Sequence, residues 1–390
     1  VCRRNIFFIQ RKTNKNKKEK MKDLDFMARA IELAKKGQLK VQPNPMVGCV
    51  IVKNNKIIGE GWHREYGKDH AEINAIKNCK KKFGVKKALK LIAGSNVYVN
   101  LEPCSIEKNT PPCSNALIEY QIKKLFCGTL DPNPKINGRG IKLLKKAGIQ
   151  TSVGILKDEC KELNRVFFTN QRKSRPYIIL KSAQSIDGKI ALQSGESNWI
   201  SNSESRKNSH HIRSRVKGIL VGRNTAEQDN PSLTVRLAKN ELGLSKGEAI
   251  VQPVKIILGS LKKSGKVSKI FAGNSKIIIG SKLSAKKSKN VEYLEYKKKN
   301  FLEEFLQDLL HRDVSSILVE GGQKTLNAFI VNNLFDELVL YTAPMFLGKG
   351  SKDALDLNPP DTIRTSMKLK MVRLERFKED IKTTYYNKNL

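Results

Sequence analysis

Short apolar runs of strand length alternate with helix-period segments along most of this chain, and no other feature restricts its fold as much. Between Asp23 and Lys36 the apolar residues Phe26, Met27, Ala30, Ile31, Leu33 and Ala34 recur at helical spacing, and Gly37 follows as a stop. Val47–Val52 and Lys56–Gly61 flank Asn54 and Asn55, which predicts a hairpin. A helix over His70–Cys79, a strand over Asn96–Leu101, a helix over Cys113–Tyr120, a strand over Ile122–Thr129 and a helix over Arg139–Ala147 continue the order. Such alternation predicts an α/β layer fold with helices packed on a sheet.

At 390 residues the chain exceeds what one hydrophobic core usually serves, so two domains are expected. The polar, basic stretch Thr169–Pro176 breaks the pattern and marks the expected boundary. Strand-like runs follow at Tyr177–Ser182, Lys217–Val221, Val254–Leu258, Lys276–Ile279, Ser316–Glu320 and Glu337–Tyr341, with a helix over Phe301–Leu310 among the segments between them. The second domain is therefore α/β as well. The division expected is a disordered basic extension over 1–20, a first domain over 21–170 and a second over 176–390.

The formal charge of +37 raises the question of nucleic acid, but its lysines are spread over nearly every segment with few aromatic residues between them. A solvated lysine-rich surface is the expected reading and a functional basic field the alternative; either would draw in a phosphorylated substrate. No apolar run approaches the length of about 18 residues that a membrane helix needs. Seven cysteines, an odd number with none after Cys160, do not make a disulfide framework, and a reducing cytoplasm fits them. A homo-oligomer is expected, with no nucleic-acid and no membrane partner.

The chemistry-bearing residues cluster in the first half. His70 and Glu72 sit where a loop enters a helix, Pro103 and Cys104 end a strand, and Cys113 opens another helix. Three ligands, His70, Cys104 and Cys113, would leave the fourth tetrahedral position of zinc open to water, as a catalytic site requires. Glu72 could then serve as general acid and base. Since residues two apart do not share a helix face, both His70 and Glu72 must lie in the first turn. Singly, each residue reads as an ordinary buried or surface side chain. Jointly, His-x-Glu before a helix, Pro-Cys after a strand and a second Cys before a helix match the zinc-deaminase signature. Two rivals remain open: a nucleic-acid deaminase with Trp62, Tyr66 or Tyr98 as stacking residues, and a nucleic-acid-binding protein whose structural zinc takes Cys49 or Cys79 as fourth ligand.

Eight residues separate Cys104 from Cys113, where nucleobase deaminases usually have two. The segment LEPCSIEKNTPPC from Leu101 to Cys113, with PNPMVGCVIV (Pro43–Val52), DHAEINAI (Asp69–Ile76) and DPNPKINGRG (Asp131–Gly140), resembles the bifunctional deaminase–reductases of riboflavin biosynthesis. The resemblance runs from about Asp23 to near the C-terminus. It implies a cytidine-deaminase-like three-layer domain followed by a dihydrofolate-reductase-like one. It also implies zinc-dependent loss of the 2-amino group of 2,5-diamino-6-(5-phosphoribosylamino)pyrimidin-4(3H)-one, then NADPH-dependent reduction of the ribosyl to a ribityl side chain. The chain departs from the family's SHxGK or SHxGR pattern at Ile106–Asn109, and Lys108 is expected either to take over the basic role or to stand as a solvated surface lysine.

In the second half LKSAQSIDGKIA (Leu180–Ala191), GESNWIS (Gly195–Ser201), VGRNTAEQDNPSLTVR (Val221–Arg236) and VEGG (Val319–Gly322) resemble the reductase. No G-x-G-x-x-G is present, so a Rossmann reading fails. Ser201 and Glu204 suggest a capping box for a helix carrying His210, His211 and Arg213. Gly321 and Gly322, after a strand and before a helix, could hold a phosphate on free N–H groups. The resemblance implies Ala183, Trp199, Thr225, Asp229, Ser260 and Gly322 at NADPH, and Ser197, Arg213, Leu233, Arg236 and Glu320 at the substrate. Arg213 and Arg236 suit a sugar phosphate as bidentate donors. His210 and His211 are read as a solvated helix face.

Overall fold

A computed structural model describes residues 15–38, 40–106, 111–245, 247–261, 268–282, 290–297 and 301–388. The chain divides into two compact units, Val1–Phe168 and Thr169–Leu390.

The first unit runs α1 (Lys15–Lys35), β1 (Gly48–Lys53), β2 (Lys56–Trp62), α2 (Ala71–Phe83), α3 (Val85–Ile92), β3 (Asn96–Leu101), α4 (Cys113–Glu119), β4 (Lys124–Thr129), α5 (Arg139–Lys146), β5 (Gln150–Val153) and α6 (Lys157–Leu163), with α7 (Arg165–Lys173) leading out. Its sheet has the order β2-β1-β3-β4-β5, antiparallel around β1 and parallel from β3 to β5. Asn54 and Asn55, at φ 49° and 60°, make the two-residue turn of the β1–β2 hairpin. Alternation along the strands builds three layers. Cys49, Ile51, Val97, Val99, Leu125 and Cys127 pack on one face with residues of α2, α3, α4 and α5. Val50, Val52, Tyr98 and Phe126 pack on the other with Met27, Ala30, Ile31 and Leu33 of α1 and Cys160 of α6.

The second unit runs β6 (Tyr177–Ser185), β7 (Lys189–Ala191), α8 (Ser203–Arg213), β8 (Gly218–Gly222), α9 (Arg223–Asp229), β9 (Val254–Leu258), α10 (Ser268–Phe271), β10 (Ile277–Ser281), β11 (Val291–Glu295), α11 (Leu302–His311), β12 (Ser316–Val319), α12 (Gln323–Val331), β13 (Glu337–Ala343), β14 (Lys352–Asp353), β15 (Leu369–Phe377) and β16 (Asp380–Asn387). Nine strands form one sheet in the order β11-β10-β9-β8-β12-β6-β13-β16-β15. Pairing is parallel from β11 to β13, and the β15–β16 hairpin closes the edge antiparallel. Ile178, Leu220, Ile256, Ile278 and Ile317 of the parallel strands share a core with Phe305 and Leu309 of α11 and Phe329 of α12.

Two sequence expectations change. α1 begins at Lys15, inside the segment read as a disordered extension: Lys and Glu are good helix formers, so the helix patterned from Asp23 extends backwards without an apolar stripe. α7 runs through Thr169–Lys173, where a break was expected, because a polar sequence without proline or glycine does not interrupt a helix. Among the described residues no helix is long and apolar enough to cross a membrane.

Candidate active sites

The first site forms where the C-terminal end of β3 meets the starts of α2 and α4. Pro103 and Cys104 stand on an irregular turn just past β3. His70 is the N-cap residue of α2, with φ −71° and ψ 168°, and Glu72 lies in the first turn of that helix, where the sequence places both. Cys113 is the first residue of α4, and its backbone N–H donates to the Cys104 sulfur at 3.3 Å. His70 Nδ1 lies 3.3 Å from Cys113 Sγ and 3.5 Å from Cys104 Sγ.

All three donor atoms fall within 4.8 Å of one another, the one such ligand group among the described residues. Zinc at about 2.1 Å from nitrogen and about 2.3 Å from sulfur requires tetrahedral donors roughly 3.6 Å apart. The set therefore fits zinc, with a fourth position left open. Cys49 and Cys79 are buried in the core between sheet and helices, outside this group, so neither closes the site.

Glu72 is buried beside the ligands, and that burial pushes its carboxyl up against the opposing pull of His70. The Cys104 thiol is drawn down, first by its hydrogen bond with Cys113 and, against burial, by His70. Two neighbours escaped the sequence reading. His63 is buried, meets the His70 ring edge-on at 5.3 Å, and bonds the Asp69 carbonyl through Nδ1 at 3.0 Å. A carbonyl only accepts, so Nδ1 carries the proton and Nε2 accepts from the Asn44 amide at 3.2 Å. Asn44 belongs to the PNPMVG motif, but nothing in the spacing joins it to His63. Lys108 lies outside the described residues.

In the second unit the C-terminal ends of the parallel strands open into a cleft of about 980 Å³. Ala183, Trp199, Thr225, Asp229, Gly322, Ser197, Arg213, Arg236 and Glu320 all line it. Leu233 and Ser260 do not: Leu233 is packed inside with φ 50°, and Ser260 follows the lining residue Gly259. Lys181, which the sequence did not single out, joins the wall from β6.

Arg213 is engaged by the protein itself. Its Nε and Nη2 donate to the Glu320 carboxylate at 3.1 and 2.5 Å, and Nη1 donates to the Thr234 carbonyl at 3.1 Å. Burial would raise the Glu320 carboxyl, but the charges of Arg213 and Lys181 outweigh it and hold it below the ordinary carboxylate range. Lys181 is lowered by burial against the pull of Glu320, and burial raises Asp229. His210 is a correction: it lines the cleft, and its Nδ1 accepts the Arg236 backbone N–H at 3.2 Å. Burial, then the charges of Arg213 and Arg236, lower it to about 4.

Two capping expectations shift. The cap of α8 is Asn202, whose side chain accepts from Ser205 N–H at 3.0 Å, in place of a Ser201–Glu204 box. The Gly322 N–H donates to Thr225 Oγ1 at 3.2 Å, so this N–H is already used. Gly321 is needed for packing, since a Cβ there would stand 2.5 Å from Thr325 Cβ.

Fold and sites define the class: a zinc-type hydrolytic deaminase followed by a dihydrofolate-reductase-like oxidoreductase. Residues 20–129 match the family described as the cytidine and deoxycytidylate deaminase zinc-binding region, and residues 176–383 match the RibD C-terminal domain. Riboflavin biosynthesis protein RibD of Aquifex aeolicus is 38% identical over 92% of this chain and 97% of its own length. The protein of that name from Escherichia coli is 33% identical over 93% and 98%. The solved deaminase/reductase of Thermotoga maritima superposes with a TM-score of 0.80 at 35% identity, covering 95% of this chain and 99% of that one. The chain belongs to the RibD family of bifunctional riboflavin-biosynthesis enzymes, with a zinc-binding deaminase domain and an NADPH-dependent reductase domain.

Proposed function

We propose that His70, Cys104 and Cys113 hold the zinc and that Glu72 moves the protons of deamination. The observation that carries this is the set of three donors at tetrahedral spacing with a buried carboxyl beside them. Bound zinc supplies the acidity that makes water a nucleophile near neutral pH. Glu72, its carboxyl raised by burial, takes one proton from the attacking water and gives it to the pyrimidine ring nitrogen, then carries the remaining hydroxyl proton to the departing amine. Ammonia leaves, and an oxo group replaces the 2-amino group.

In the second unit Ala183, Trp199, Thr225, Asp229 and the start of α12 at Gly322 line the NADPH site, with Ser260 beside it. Ser197, Arg236 and the Arg213–Glu320 pair face the phosphoribosyl substrate, and Leu233 supports them from within. The hydride goes to the ribosyl C1′ and a proton to the ring oxygen, which opens the sugar to ribityl. Arg213, tied to Glu320 and Thr234, presents a fixed charge and leaves Arg236 the freer phosphate partner. The working place is the cytoplasm. The assembly is a homo-oligomer, which the exposed apolar residues Met371, Val372 and Leu374 of edge strand β15 support. Tyr98, one of the three stacking candidates, is buried against Phe126, which speaks against nucleic acid as the substrate.

The test supplies the diaminopyrimidine phosphate with NADPH and follows ammonia release and NADPH oxidation together. Glu72→Gln should keep its zinc and lose deamination by roughly two to four orders of magnitude. Near-normal ammonia release would remove Glu72 from the reaction, and full zinc occupancy in both Cys104→Ser and Cys113→Ser would remove the ligand set.

A further inference from the structure

We propose that Glu102 is a positioning residue for the metal site: its buried carboxylate ties the loop Asp131–Gly140 and the start of α5 to the turn that carries Cys104. The proposal rests on Cys104 being a zinc ligand. Glu102 directly follows β3 and is 4% exposed. A buried carboxylate is costly unless its oxygens are satisfied. All its described side-chain partners are backbone N–H groups. Oε2 accepts from Asp131 at 3.1 Å and Gly138 at 2.8 Å, and Oε1 from Gly140 at 3.0 Å and Ile141 at 3.4 Å. These donors belong to DPNPKINGRG and the residue after it, a motif to which the two reactions assign no task.

Gly138 caps α5 at φ 78° without any side-chain bond, so Glu102 supplies from a distance the negative charge that the first turn favours. The helix also touches the turn directly. A Cβ at Gly140 would stand 2.2 Å from the Pro103 carbonyl oxygen, so glycine alone lets α5 lie against the peptide preceding Cys104. From the other side the Cys104 carbonyl accepts the Ser114 N–H at 3.1 Å, and its sulfur accepts the Cys113 N–H at 3.3 Å. Cys104 is therefore held between α4 and α5. The Glu102 N–H also donates to the Thr129 carbonyl of β4 at 2.9 Å, so the α5 contact through Glu102 and Pro103 joins that backbone bond in setting the ligand pair against the sheet.

The test uses the full chain loaded with zinc, and separately with cobalt(II), in Glu102→Gln, Gly140→Ala and Cys104→Ser. Glu102→Gln turns an amide N–H₂ toward backbone donors; Gly140→Ala keeps the carboxylate but pushes α5 off Pro103. Both should bind zinc about 10- to 100-fold more weakly, the usual effect of losing a partner that orients a metal ligand, and so lose it faster to a chromophoric chelator. Both should also shift the visible cobalt bands, and lower the deaminase kcat with little change in KM. Reduction of the deaminated substrate should proceed at the wild-type rate.

Wild-type zinc release and cobalt spectrum in folded Glu102→Gln would overturn the proposal. So would a variant that merely melts earlier while its cobalt spectrum is unchanged. If Glu102→Gln does not fold, Gly140→Ala decides by the same two readouts. Cys104→Ser separates the premises: wild-type zinc content there defeats the ligand assignment, whereas zinc loss there with none in Glu102→Gln defeats only the positioning role.

Discussion

His210 shows how far the identity of one residue depends on partners remote in sequence. On its helix it reads as a solvated imidazole; in the fold it faces Arg213, Arg236, Lys181 and Glu320 and accepts the N–H of Arg236, 26 positions away. Burial first, and then three cations against one carboxylate, keep it neutral, so its pKa falls from 6.5 to about 4. The unfolded chain then binds a proton at His210 that the folded chain refuses until about pH 4, so the folded state loses stability as pH falls through that window. The stability of wild type relative to His210→Asn should therefore decline from pH 6.5 to 4, as read from urea unfolding at each pH. A difference that does not vary with pH would mean that the imidazole titrates alike in both states. The grouping of His70, Cys104 and Cys113, the ligands proposed for zinc, was by contrast legible because residue types and local context suffice: each stands at a recognisable end of a helix or strand. His63 and Lys181 carried no such local mark.

Between elements, what mattered was whether an element has one buried face. The β1–β2 hairpin and the central strands were readable because apolar residues alternate about a defined turn. β15 was not, because its residues are largely exposed along an edge and a register shift between Met371 and Arg373 breaks their alternation. β5 and α3 are short, and the Asn202 cap lies one residue from the pair that resembles a capping box. Glycine spacing along β2 has a meaning that only the fold reveals. A Cβ at Gly61 would stand 2.2 Å from the Ala75 backbone nitrogen and 2.5 Å from the Ala71 carbonyl; one at Gly59 would stand 2.5 Å from the Ala75 carbonyl. Backbone thus packs on backbone, and that contact fixes the start of α2, where His70 and Glu72 stand. Gly61→Ala should destabilise the first unit by about 1–3 kcal/mol, the range for overpacking, and depress deamination. Thermal unfolding with a paired ammonia assay checks this; an unchanged melting temperature would show that β2 can yield without moving α2.

For the whole molecule, the two reactions share a chain without sharing a sheet. β1 to β5 complete one sheet, β6 and its successors make the others, and each unit closes its own core. Every residue assigned to deamination precedes Phe168 and every residue assigned to reduction follows Thr169. A lesion confined to the first chemistry should therefore leave the second untouched. Glu72→Gln removes a titrating carboxyl at nearly constant shape, so it should oxidise NADPH at the wild-type rate when given the already deaminated phosphoribosylaminouracil. Given the diamino precursor it should oxidise almost none, because its first step is blocked. With 74 Lys and Arg against 37 Asp and Glu, the reductase step should also bind its phosphorylated substrate less well in higher salt, in the variant as much as in the wild type. Initial rates at two ionic strengths on the deaminated substrate test both claims at once. A Glu72→Gln rate well below wild type on that substrate would mean that reduction depends on the state of the deaminase site, and the separation of the two chemistries would fail.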